Sequence, residues 1–322
     1  MERVFVTRSL PGTALDELRQ AGYQVDVWPD FLAPPREVML ERVRGAAGLI
    51  TMLEDRVDAE LMDAAGPGLK VIAQYAVGLD NIDLEAARKR GIVVTHTPGV
   101  LTDATADLAF ALLAAAARRV AEGHDYVRRG EWRTWHPELL LGPELFGATV
   151  GVVGFGRIGQ AFARRARGFE MKVLYTSRQP KPEAEAALAA ERVELDELLE
   201  RSDFVSLHTP LTPETHRLMN AERLARMKEG AVLVNTARGK VVDTGALLAA
   251  LEHGPLFAAG LDVTDPEPLP ADHPLLGHPR VVVTPHIGSA GRATRLRMAE
   301  MVVGDVRAVL EGRTPHHPAP AP

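Results

Sequence analysis

The order of apolar and polar positions divides the chain into two series of short apolar runs, each run followed by a segment of helical spacing. Short apolar runs bounded by turn residues are typical of buried strands, and the amphipathic segments between them are typical of helices. The first series predicts strands at 3–7, 23–28, 48–52, 69–75 and 92–96. The second series predicts strands at 150–153, 172–176, 204–207, 231–235, 258–261 and 280–284.

Strands that alternate with single helices favour right-handed parallel crossovers and doubly wound sheets. We therefore predict an α/β protein with two doubly wound parallel-sheet domains. A Thr-Pro-Gly-Val turn at 97–100 interrupts the first series, and a long helix at 291–310 can return the chain to the first unit. The predicted organisation is a first domain of residues 1–99 and 288–322, into which a second domain of residues 100–287 is inserted.

Residues 103–122, between the two series, predict one long helix rich in Ala and Leu. Its apolar character on every side indicates burial on more than one face, which suits a subunit interface. At the other end of the chain, the tail from Thr314 onward predicts a disordered, solvated segment. The adjacent His316 and His317 lie in this tail, and we do not expect them to bind a metal ion.

Composition narrows the classes of function. The chain has 322 residues, of which 46% are apolar and 25% charged, values typical of globular proteins. A net charge of −6 and the lack of a basic run argue against a nucleic-acid partner. No apolar run is long enough for a membrane span, and no signal-peptide pattern is seen. The chain has no cysteine, which excludes disulfides and Cys-ligated metals and fits the cytoplasm, where we expect the protein.

A glycine-rich turn, Gly-Phe-Gly-Arg-Ile-Gly, follows the first predicted strand of the second series and precedes a helix. Gly154 permits the sharp turn, and Gly156 lets a pyrophosphate approach the backbone. Gly159 lets the helix pack closely on the strand. The helix N-terminus, at Arg157 and Ile158, offers free N–H groups to the phosphates. The pattern and its context predict a dinucleotide-binding site.

The end of the next predicted strand bears on the choice of cofactor. An Asp or Glu about 20 residues after the glycines would accept hydrogen bonds from the adenosine ribose and repel a 2′-phosphate. Ser177 and Arg178 stand there instead, and a hydroxyl and a guanidinium can both bind that phosphate. We therefore expect NADP(H) to be preferred and NAD(H) to be possible. The alternative is that Arg178 is a solvated turn residue and that the enzyme accepts either form.

Three polar residues follow predicted strands of the second series: Arg238, Glu267 and His286. The carboxyl ends of parallel strands lie at one sheet edge, so these side chains can share a site. Hydride reduction of a 2-keto acid needs a proton for the carbonyl oxygen, and histidine, with a reference pKa of about 6.5, suits that role. A nearby carboxylate favours the imidazolium, and an arginine supplies fixed positive charge for the substrate's oxygens. Taken singly, Arg238 is also explained as an exposed strand-end residue, Glu267 as an exposed turn residue and His286 as a capping residue.

Five segments together resemble the D-isomer-specific 2-hydroxyacid dehydrogenases. They are Tyr75–Asp83, Gly154–Gly159, Asn235–Gly239, Asp265–Pro268 and Pro285–Ser289. Within the family the chain is most similar to the glyoxylate/hydroxypyruvate reductases, through residues 134–137 and 175–180. The resemblance covers essentially the whole chain. It implies a flavodoxin-like, substrate-binding catalytic domain and an inserted Rossmann domain that binds NAD(P).

The resemblance also implies roles for single residues. Arg238 would bind the substrate, and Glu267 would be the carboxylate partner of His286, the general acid/base. Backbone N–H groups around Val77 and Gly78 would hold the substrate carboxylate, a role that glycine permits sterically.

Further contacts are implied in the same way. Leu53 would line the substrate pocket. The protein would be a homodimer built on the inserted domain, with Trp135 either reaching the partner's active site or packed in the dimer interface. Cofactor-contacting positions would be Val77, Thr105, Thr209, Pro210, Thr215, Thr236, Ala237, Asp262, His286 and Gly288, and no metal is expected.

The resemblance favours a small 2-keto acid, glyoxylate or hydroxypyruvate, reduced to the D-2-hydroxy acid. Two alternatives stay open. One is a D-lactate dehydrogenase or another D-2-hydroxyacid dehydrogenase. The other, of a different class, is a dinucleotide-sensing corepressor on the same fold, which can keep Arg238, Glu267 and His286. Steady-state oxidation of NADPH with glyoxylate distinguishes turnover from binding alone.

Overall fold

The computed structural model describes residues 1–320 and divides into two compact units. Met1–Leu101 and the chain from Ala290 onward form unit 1, and Thr102–Ser289 form unit 2. Both crossings between the units lie close to the turns that interrupt the apolar pattern. Both units are α/β structures built on parallel sheets, as the sequence predicted.

Unit 1 contains a five-stranded sheet in the order β2-β1-β3-β4-β5, and every neighbouring pair is parallel. This is the strand order of flavodoxin-like folds, which confirms the predicted fold class. The strands are β1 (Arg3–Val6), β2 (Gln24–Val27), β3 (Gly48–Thr51), β4 (Val71–Gln74) and β5 (Val93–Thr95). The helices are α1 (Ala14–Gln20), α2 (Arg36–Arg42), α3 (Ala59–Ala65), α4 (Leu84–Lys89) and α13 (Arg292–Leu310).

The sheet of unit 1 is covered on both faces by helices. Strands β3 and β4 are buried at every position, which explains why their sequences are apolar runs rather than alternating ones. On one face the core includes Met39 of α2, Leu61 of α3 and Ala86 of α4. On the other face it includes Leu18 of α1 and Val302 of α13. The carboxyl ends of β3 and β4 carry the loops expected to bind substrate.

Unit 2 contains a seven-stranded parallel sheet in the order β12-β11-β10-β9-β6-β7-β8. This is the Rossmann order, which reverses between β6 and β9, with one further strand at an edge, and it confirms the second predicted fold. The strands are β6 (Thr149–Val153), β7 (Lys172–Thr176), β8 (Ala190–Arg192), β9 (Phe204–Leu207), β10 (Ala231–Asn235), β11 (Leu256–Leu261) and β12 (Val281–Val283). The helices are α5 (Thr102–Ala117), α6 (Val120–Arg128), α7 (Arg157–Gly168), α8 (Pro182–Leu188), α9 (Leu195–Arg201), α10 (Ala221–Ala225), α11 (Thr244–Glu252) and α12 (Pro274–Gly277).

The prediction of a single long helix over 103–122 is wrong, because the structure contains two helices there, α5 and α6. The chain turns at Arg119, whose φ of +52° lies in the left-handed region. The guanidinium of Arg119 holds this turn by donating to Glu122 at 2.7 Å and to the carbonyl of Leu141 at 3.2 Å. The apolar faces of α5 pack on α7, β10 and β11 of the same unit, so its composition is explained without a second subunit.

The tail predicted to be disordered from Thr314 onward is ordered in the part that the structure describes, so this prediction is wrong. Ala319 N donates to Val94 O at 2.8 Å, next to an antiparallel bridge between the tail and β5. The backbone N–H of His316 and the ring Nδ1 of His317 both contact the buried carboxylate of Asp305, at 2.7 and 2.9 Å. The edge of β5 and this carboxylate fix the tail. Positions 321 and 322 of the predicted tail lie outside the described residues.

Candidate active site

The glycine turn after β6 has the geometry predicted for it. Gly154 has a φ of +94°, and a Cβ there would lie 2.7 Å from the carbonyl oxygen of His208. A Cβ on Gly159 would lie 2.1 Å from the carbonyl oxygen of Gly154. Both glycines are therefore required by backbone packing, which brings the start of α7 against the end of β6.

Gly156 differs from the other two glycines, because a Cβ there would meet no atom within 4 Å. It is the N-cap of α7, and no side chain caps the helix at this end. The first N–H groups of the helix, at Arg157 and Ile158, have no intrahelical acceptor by the geometry of a helix start. The open space beside Gly156 and these N–H groups form a cradle that fits a pyrophosphate.

Residues predicted to contact the cofactor lie around this cradle within unit 2. The backbone of Thr209 lies against Gly154, since a Cβ on Gly154 would be 2.9 Å from Thr209 N. Thr215 closes the following turn by donating from its hydroxyl to Pro210 O at 2.6 Å. The hydroxyl of Thr236, after β10, is buried and has no hydrogen-bond partner within residues 1–320. A bound ligand could satisfy this hydroxyl.

The end of β7 carries Ser177 and Arg178, both outside the buried core. The hydroxyl of Ser177 donates to Gln179 O at 2.6 Å, so it would have to rotate to donate to a phosphate. Arg192 of β8 donates to Ser177 O at 3.1 Å, which places a second guanidinium beside this turn. Sequence reasoning missed Arg192 because β8 is short and mostly exposed and gives no apolar signal.

The central element of the candidate site is a hydrogen bond between His286 and Glu267. Nδ1 of His286 lies 2.5 Å from Oε1 of Glu267. Burial opposes ionisation of Glu267, but the hydrogen bond and charge of His286 outweigh it, so the pKa of this carboxyl lies below its usual range. The backbone of His286 has a φ of +51°, an unfavourable conformation for a residue with a Cβ. Nε2 is the ring nitrogen left to exchange a proton with a substrate.

The segment that carries Arg238 is held beside the Glu267 loop. The amide of Asn235 bridges the turn, accepting from Ala237 N at 3.0 Å and donating to Arg238 O at 2.9 Å. A Cβ on Gly239 would lie 1.8 Å from Thr264 O, so only glycine permits this approach. The positive charge of Arg238 is close enough to help lower the pKa of Glu267. The structure thus brings together the three residues predicted to form a catalytic set.

Asp262 has a structural task that the sequence did not reveal. Its buried carboxylate accepts from the Thr284 hydroxyl at 2.6 Å, from Ile287 N at 2.8 Å and from Gly288 N at 2.7 Å. Burial outweighs these hydrogen bonds and raises the pKa of Asp262. The carboxylate therefore holds the loop on both sides of His286. A Cβ on Gly288 would also lie 3.3 Å from Thr105 Cγ2, so these two predicted cofactor residues are neighbours.

The predicted substrate residues Leu53, Val77 and Gly78 belong to unit 1. Leu53 lies in the loop after β3, and Val77 and Gly78 lie in the loop after β4. The side chain of Asn81 joins the two loops by donating to Met52 O at 3.0 Å and to the carbonyl oxygen of Asp55 at 2.8 Å. Trp135, in unit 2, is 79% exposed.

Comparisons with known proteins agree with this architecture. Residues 110–288 match the family described as D-isomer specific 2-hydroxyacid dehydrogenase, NAD binding domain. The glyoxylate reductase of Korarchaeum cryptofilum is 52% identical over 97% of this chain and 94% of its own length. A Thermus thermophilus protein of known crystal structure has a TM-score of 0.94 and 62% identity, with 99% of this chain and 100% of the other covered.

A second solved structure includes bound ligands. The NADPH-dependent glyoxylate/hydroxypyruvate reductase of Sinorhizobium meliloti, in complex with NADP and malonate, has a TM-score of 0.85 and 32% identity. The match covers 99% of this chain and 96% of the other.

The doubly wound sheets, the glycine cradle and these similarities together define the class of the protein. The chain belongs to the D-isomer specific 2-hydroxyacid dehydrogenase family. Its cofactor is a nicotinamide dinucleotide, and its substrate is a small keto or hydroxy acid. No helix within residues 1–320 is long and apolar enough to span a membrane. The same residues contain no cluster of three or more side chains suited to a metal ion.

Proposed function

We propose that this protein is a glyoxylate reductase that prefers NADPH and reduces a small 2-keto acid to the D-2-hydroxy acid. The observation that carries the proposal is the His286–Glu267 pair at 2.5 Å beside the Arg238 turn, in a unit with a dinucleotide cradle. The substrate follows from relatives such as the Korarchaeum cryptofilum glyoxylate reductase, 52% identical to this chain.

His286 is the general acid of the reduction. The bound nicotinamide supplies a hydride to the carbonyl carbon of the substrate. Because Nδ1 of His286 donates to Glu267, the proton given to the carbonyl oxygen leaves from Nε2. Glu267 orients the ring and stabilises the imidazolium until that proton is transferred. In the oxidation direction the same nitrogen accepts the proton.

Arg238 and the loop after β4 bind the substrate. The guanidinium of Arg238 contacts the carboxylate and the carbonyl oxygen, on which negative charge develops as hydride arrives. The N–H groups of Val77 and Gly78 bind the carboxylate, and Leu53 lines the pocket. In this assignment the domain of residues 1–99 and 288–322 is the substrate-binding domain, and the domain of residues 100–287 is the dinucleotide-binding domain.

Apart from Ser177 and Arg178, the cofactor residues fall into two groups. Gly154, Gly156, Arg157, Ile158 and Gly159 bind the pyrophosphate. The rest of the cofactor is contacted by a second set around β9 to β12 and α5, together with Val77: Thr105, Thr209, Pro210, Thr215, Thr236, Ala237, Asp262, His286 and Gly288. The unsatisfied hydroxyl of Thr236 supports this assignment.

The preference for NADPH rests on charge at the end of β7. Ser177 and Arg178 replace the acid that would repel a 2′-phosphate, and Arg192 adds a second guanidinium at this turn. The S. meliloti relative with bound NADP is NADPH-dependent. We expect Ser177→Asp to shift the ratio of kcat/KM values toward NADH, whereas Ser177→Ala keeps the preference. Unchanged selectivity in the Asp variant would argue against the assignment.

The protein is a homodimer formed through unit 2. Large apolar side chains of this unit lie exposed: Val120, Val127, Trp132, Trp135, Leu141, Phe146 and Phe169. This many exposed apolar side chains in one unit suits a subunit interface, and Trp135 belongs either to that interface or to the partner's active site. Light scattering should report a dimer, and Val127→Glu with Trp132→Glu should give a monomer. Phe31→Glu, at a still more exposed apolar position of unit 1, should stay dimeric.

The proposed function is tested with a panel of glyoxylate, hydroxypyruvate, pyruvate and 3-phosphohydroxypyruvate, each with NADPH and NADH. We expect glyoxylate with NADPH to give the highest kcat/KM. His286→Gln should lower kcat by about 10²–10⁴, the usual contribution of a general acid. A preference for pyruvate would indicate a D-lactate dehydrogenase. Absence of turnover with every acid would instead favour a dinucleotide-sensing binding protein.

The lack of cysteine supports the cytoplasm as the compartment.

A further inference from the structure

The loop after β4 presents two consecutive backbone N–H groups without acceptors. Among the hydrogen bonds within residues 1–320, none is donated by Val77 N or Gly78 N, although both residues are half-buried. Successive free N–H groups in a bent segment such as this one can bind an anion. In the proposed function this pair binds the carboxylate of the substrate.

The carbonyl group between these two N–H groups is held by a histidine from the neighbouring strand. Nδ1 of His96, the residue after β5, lies 2.9 Å from Val77 O. A carbonyl oxygen can only accept, so Nδ1 carries the hydrogen of this bond and His96 is the donor.

This hydrogen bond acts on a whole peptide plane. The carbonyl of Val77 and the N–H of Gly78 belong to one trans peptide unit, in which they point in opposite directions. A donor that fixes the direction of Val77 O therefore fixes the direction of Gly78 N–H on the other side. Donation to the carbonyl also polarises the peptide, which makes its N–H a stronger donor.

The backbone around His96 is itself fixed from both sides. Thr97 N donates to Ala76 O at 2.9 Å, which ties the chain after β5 to the chain after β4. His96 N donates to the carbonyl of His317 in the ordered tail at 3.1 Å. The imidazole is thus presented to Val77 from a rigid support.

The next peptide plane of the loop is held less tightly. Its carbonyl, Gly78 O, accepts from Nε2 of Gln74 at 3.4 Å, a long contact, while the same amide donates to Asn81 at 2.7 Å. Of the two bonds to the carbonyls of this loop, the one from His96 is shorter than the one from Gln74. It also acts on the peptide plane that contains the Gly78 N–H.

We propose that His96 is a positioning residue for substrate binding: its imidazole orients the Val77–Gly78 peptide so that the Gly78 N–H is aimed at the substrate carboxylate. The inference rests on the proposed function for the choice of substrate, and it adds a residue outside the predicted site.

The test uses two substitutions of nearly equal shape at position 96. His96→Asn keeps a donor close to the place of Nδ1, whereas His96→Leu removes it. We expect His96→Leu to raise KM for glyoxylate and the Kd of oxalate for the enzyme–NADPH complex by roughly three- to tenfold, the worth of one hydrogen bond. The kcat and the Kd of NADPH should change less than about twofold, because His286 is untouched and Val77 is only one of many residues assigned to the cofactor. His96→Asn should restore KM and the oxalate Kd to near the wild-type values.

A matched control removes another side-chain bond to a carbonyl in the same region. Tyr75→Phe deletes the 2.6 Å bond from the Tyr75 hydroxyl to Arg295 O and should lower Tm without changing KM. If Tyr75→Phe raises KM as much as His96→Leu, general loosening is the cause and the inference is overturned. Equal KM values in the Leu and Asn variants would overturn it too. If His96→Leu does not fold, His96→Gln, whose amide reaches beyond the Nδ1 position, takes its place with the same expectation.

Oxalate separates this inference from the proposed function. A wild-type enzyme that binds oxalate but turns over no 2-keto acid contradicts the proposed function, and the oxalate Kd values still decide the role of His96. A wild-type enzyme–NADPH complex that binds no oxalate contradicts the carboxylate-binding role of the loop, and the inference falls with it.

Discussion

Among single residues, Asp262 shows how a buried carboxylate can fix the position of a side chain, that of His286, to which it makes no hydrogen bond. Its two oxygens accept from Thr284, Ile287 and Gly288, on both sides of His286. A carboxylate only accepts, so it suits three donors arriving together. The unfavourable backbone conformation of His286 persists because these bonds fix its neighbours.

Asp262→Asn should disturb both stability and catalysis. The amide keeps one acceptor oxygen, so a buried backbone N–H is left facing an NH₂ group. We expect the free energy of unfolding to fall by about 1–3 kcal/mol. The kcat for glyoxylate should fall about tenfold or more, because His286 is displaced. Thr284→Val removes only one donor and should cost less than half as much in denaturant titrations. A variant with wild-type kcat would show that the loop does not need the carboxylate.

Glu267→Gln should change the pH profile of reduction and not only its height. Burial opposes ionisation of Glu267, but the hydrogen bond and charge of His286 outweigh it, so the pKa of this carboxyl lies below its usual range. The carboxylate that holds Nδ1 of His286 is therefore ionised at neutral pH and is lost only as the pH falls through this lowered pKa. We expect the kcat/KM of the wild type to fall on the acid side for this reason. The Gln side chain does not titrate, so the variant should lack that fall and have a kcat/KM about tenfold or more lower near neutral pH. The measurement is kcat/KM for glyoxylate from pH 3.5 to 8.

Glu252→Gln is the matched control for this profile, because Glu252 lies 3.7 Å from exposed His253, outside the site. It should leave the profile unchanged. An acid-side fall in Glu267→Gln as steep as that of the wild type would mean that another group causes it.

The sequence could predict that Arg238, Glu267 and His286 lie near one another, because each follows a strand of one parallel sheet and such strands end at the same edge. It could not predict the task of Asp262, which depends on where three donors meet in space. Arg192 was missed for a related reason. Its strand is paired only at the sheet edge and is mostly solvent-exposed, so no apolar run marks it.

Among the elements, the glycine turn before α7 contains different glycines for packing and for the proposed binding of the cofactor. Gly159 touches the backbone of Gly154, whereas Gly156 faces open space. The same motif therefore contains one glycine required by the fold and one that the fold leaves free.

Alanine at these two positions should give opposite phenotypes. Gly159→Ala should lower stability by about 1–3 kcal/mol, since its Cβ would overlap a carbonyl oxygen that cannot move aside. Gly156→Ala should keep Tm within a few degrees but raise the Kd of NADPH about tenfold or more, because the methyl group fills the cradle. Thermal melts and fluorescence titrations with NADPH measure the two effects. A normal Kd in Gly156→Ala would place the pyrophosphate elsewhere.

The boundaries of the eleven predicted strands agree with the structure to within two residues, whereas strand β8 and the break between α5 and α6 were missed. A parallel strand buried on both faces must be apolar throughout, so β9 and β10 coincide with their apolar runs. The break between α5 and α6 has no glycine or proline to signal it. It depends on Arg119 adopting a left-handed conformation that Glu122 and the Leu141 carbonyl stabilise from outside the helix.

At the scale of the molecule, the two sheet orders followed from the alternation of strands and helices, but the path of the tail did not. The nine residues from Thr314 onward include four prolines and no large apolar side chain, a composition typical of disorder. Their order comes from partners far away in the sequence, namely the backbone of β5 and the buried carboxylate of Asp305. The composition of the tail alone does not indicate these distant partners.

Removal of the tail from Thr314 onward should lower Tm by several degrees. Asp305 is 1% exposed, and truncation would leave its carboxylate without the His316 N–H and the His317 ring. The loss of bonds to a buried charge costs about 1–3 kcal/mol. His316→Ala keeps the backbone N–H and should melt close to the wild type. An unchanged Tm in the truncated protein would mean that solvent replaces these bonds.

The tail also covers part of a sheet edge, a surface that proteins without such a tail protect in other ways. Strand β5 is the last strand of its sheet, and an open strand edge is a template for pairing with another molecule. With the Ala319–Val94 bond in place, part of that edge is already occupied by the chain itself. Cleavage by a carboxypeptidase would therefore turn a folded enzyme into a seed for intermolecular β-pairing, and the protein's shelf life in concentrated solution would depend on residues 317–319.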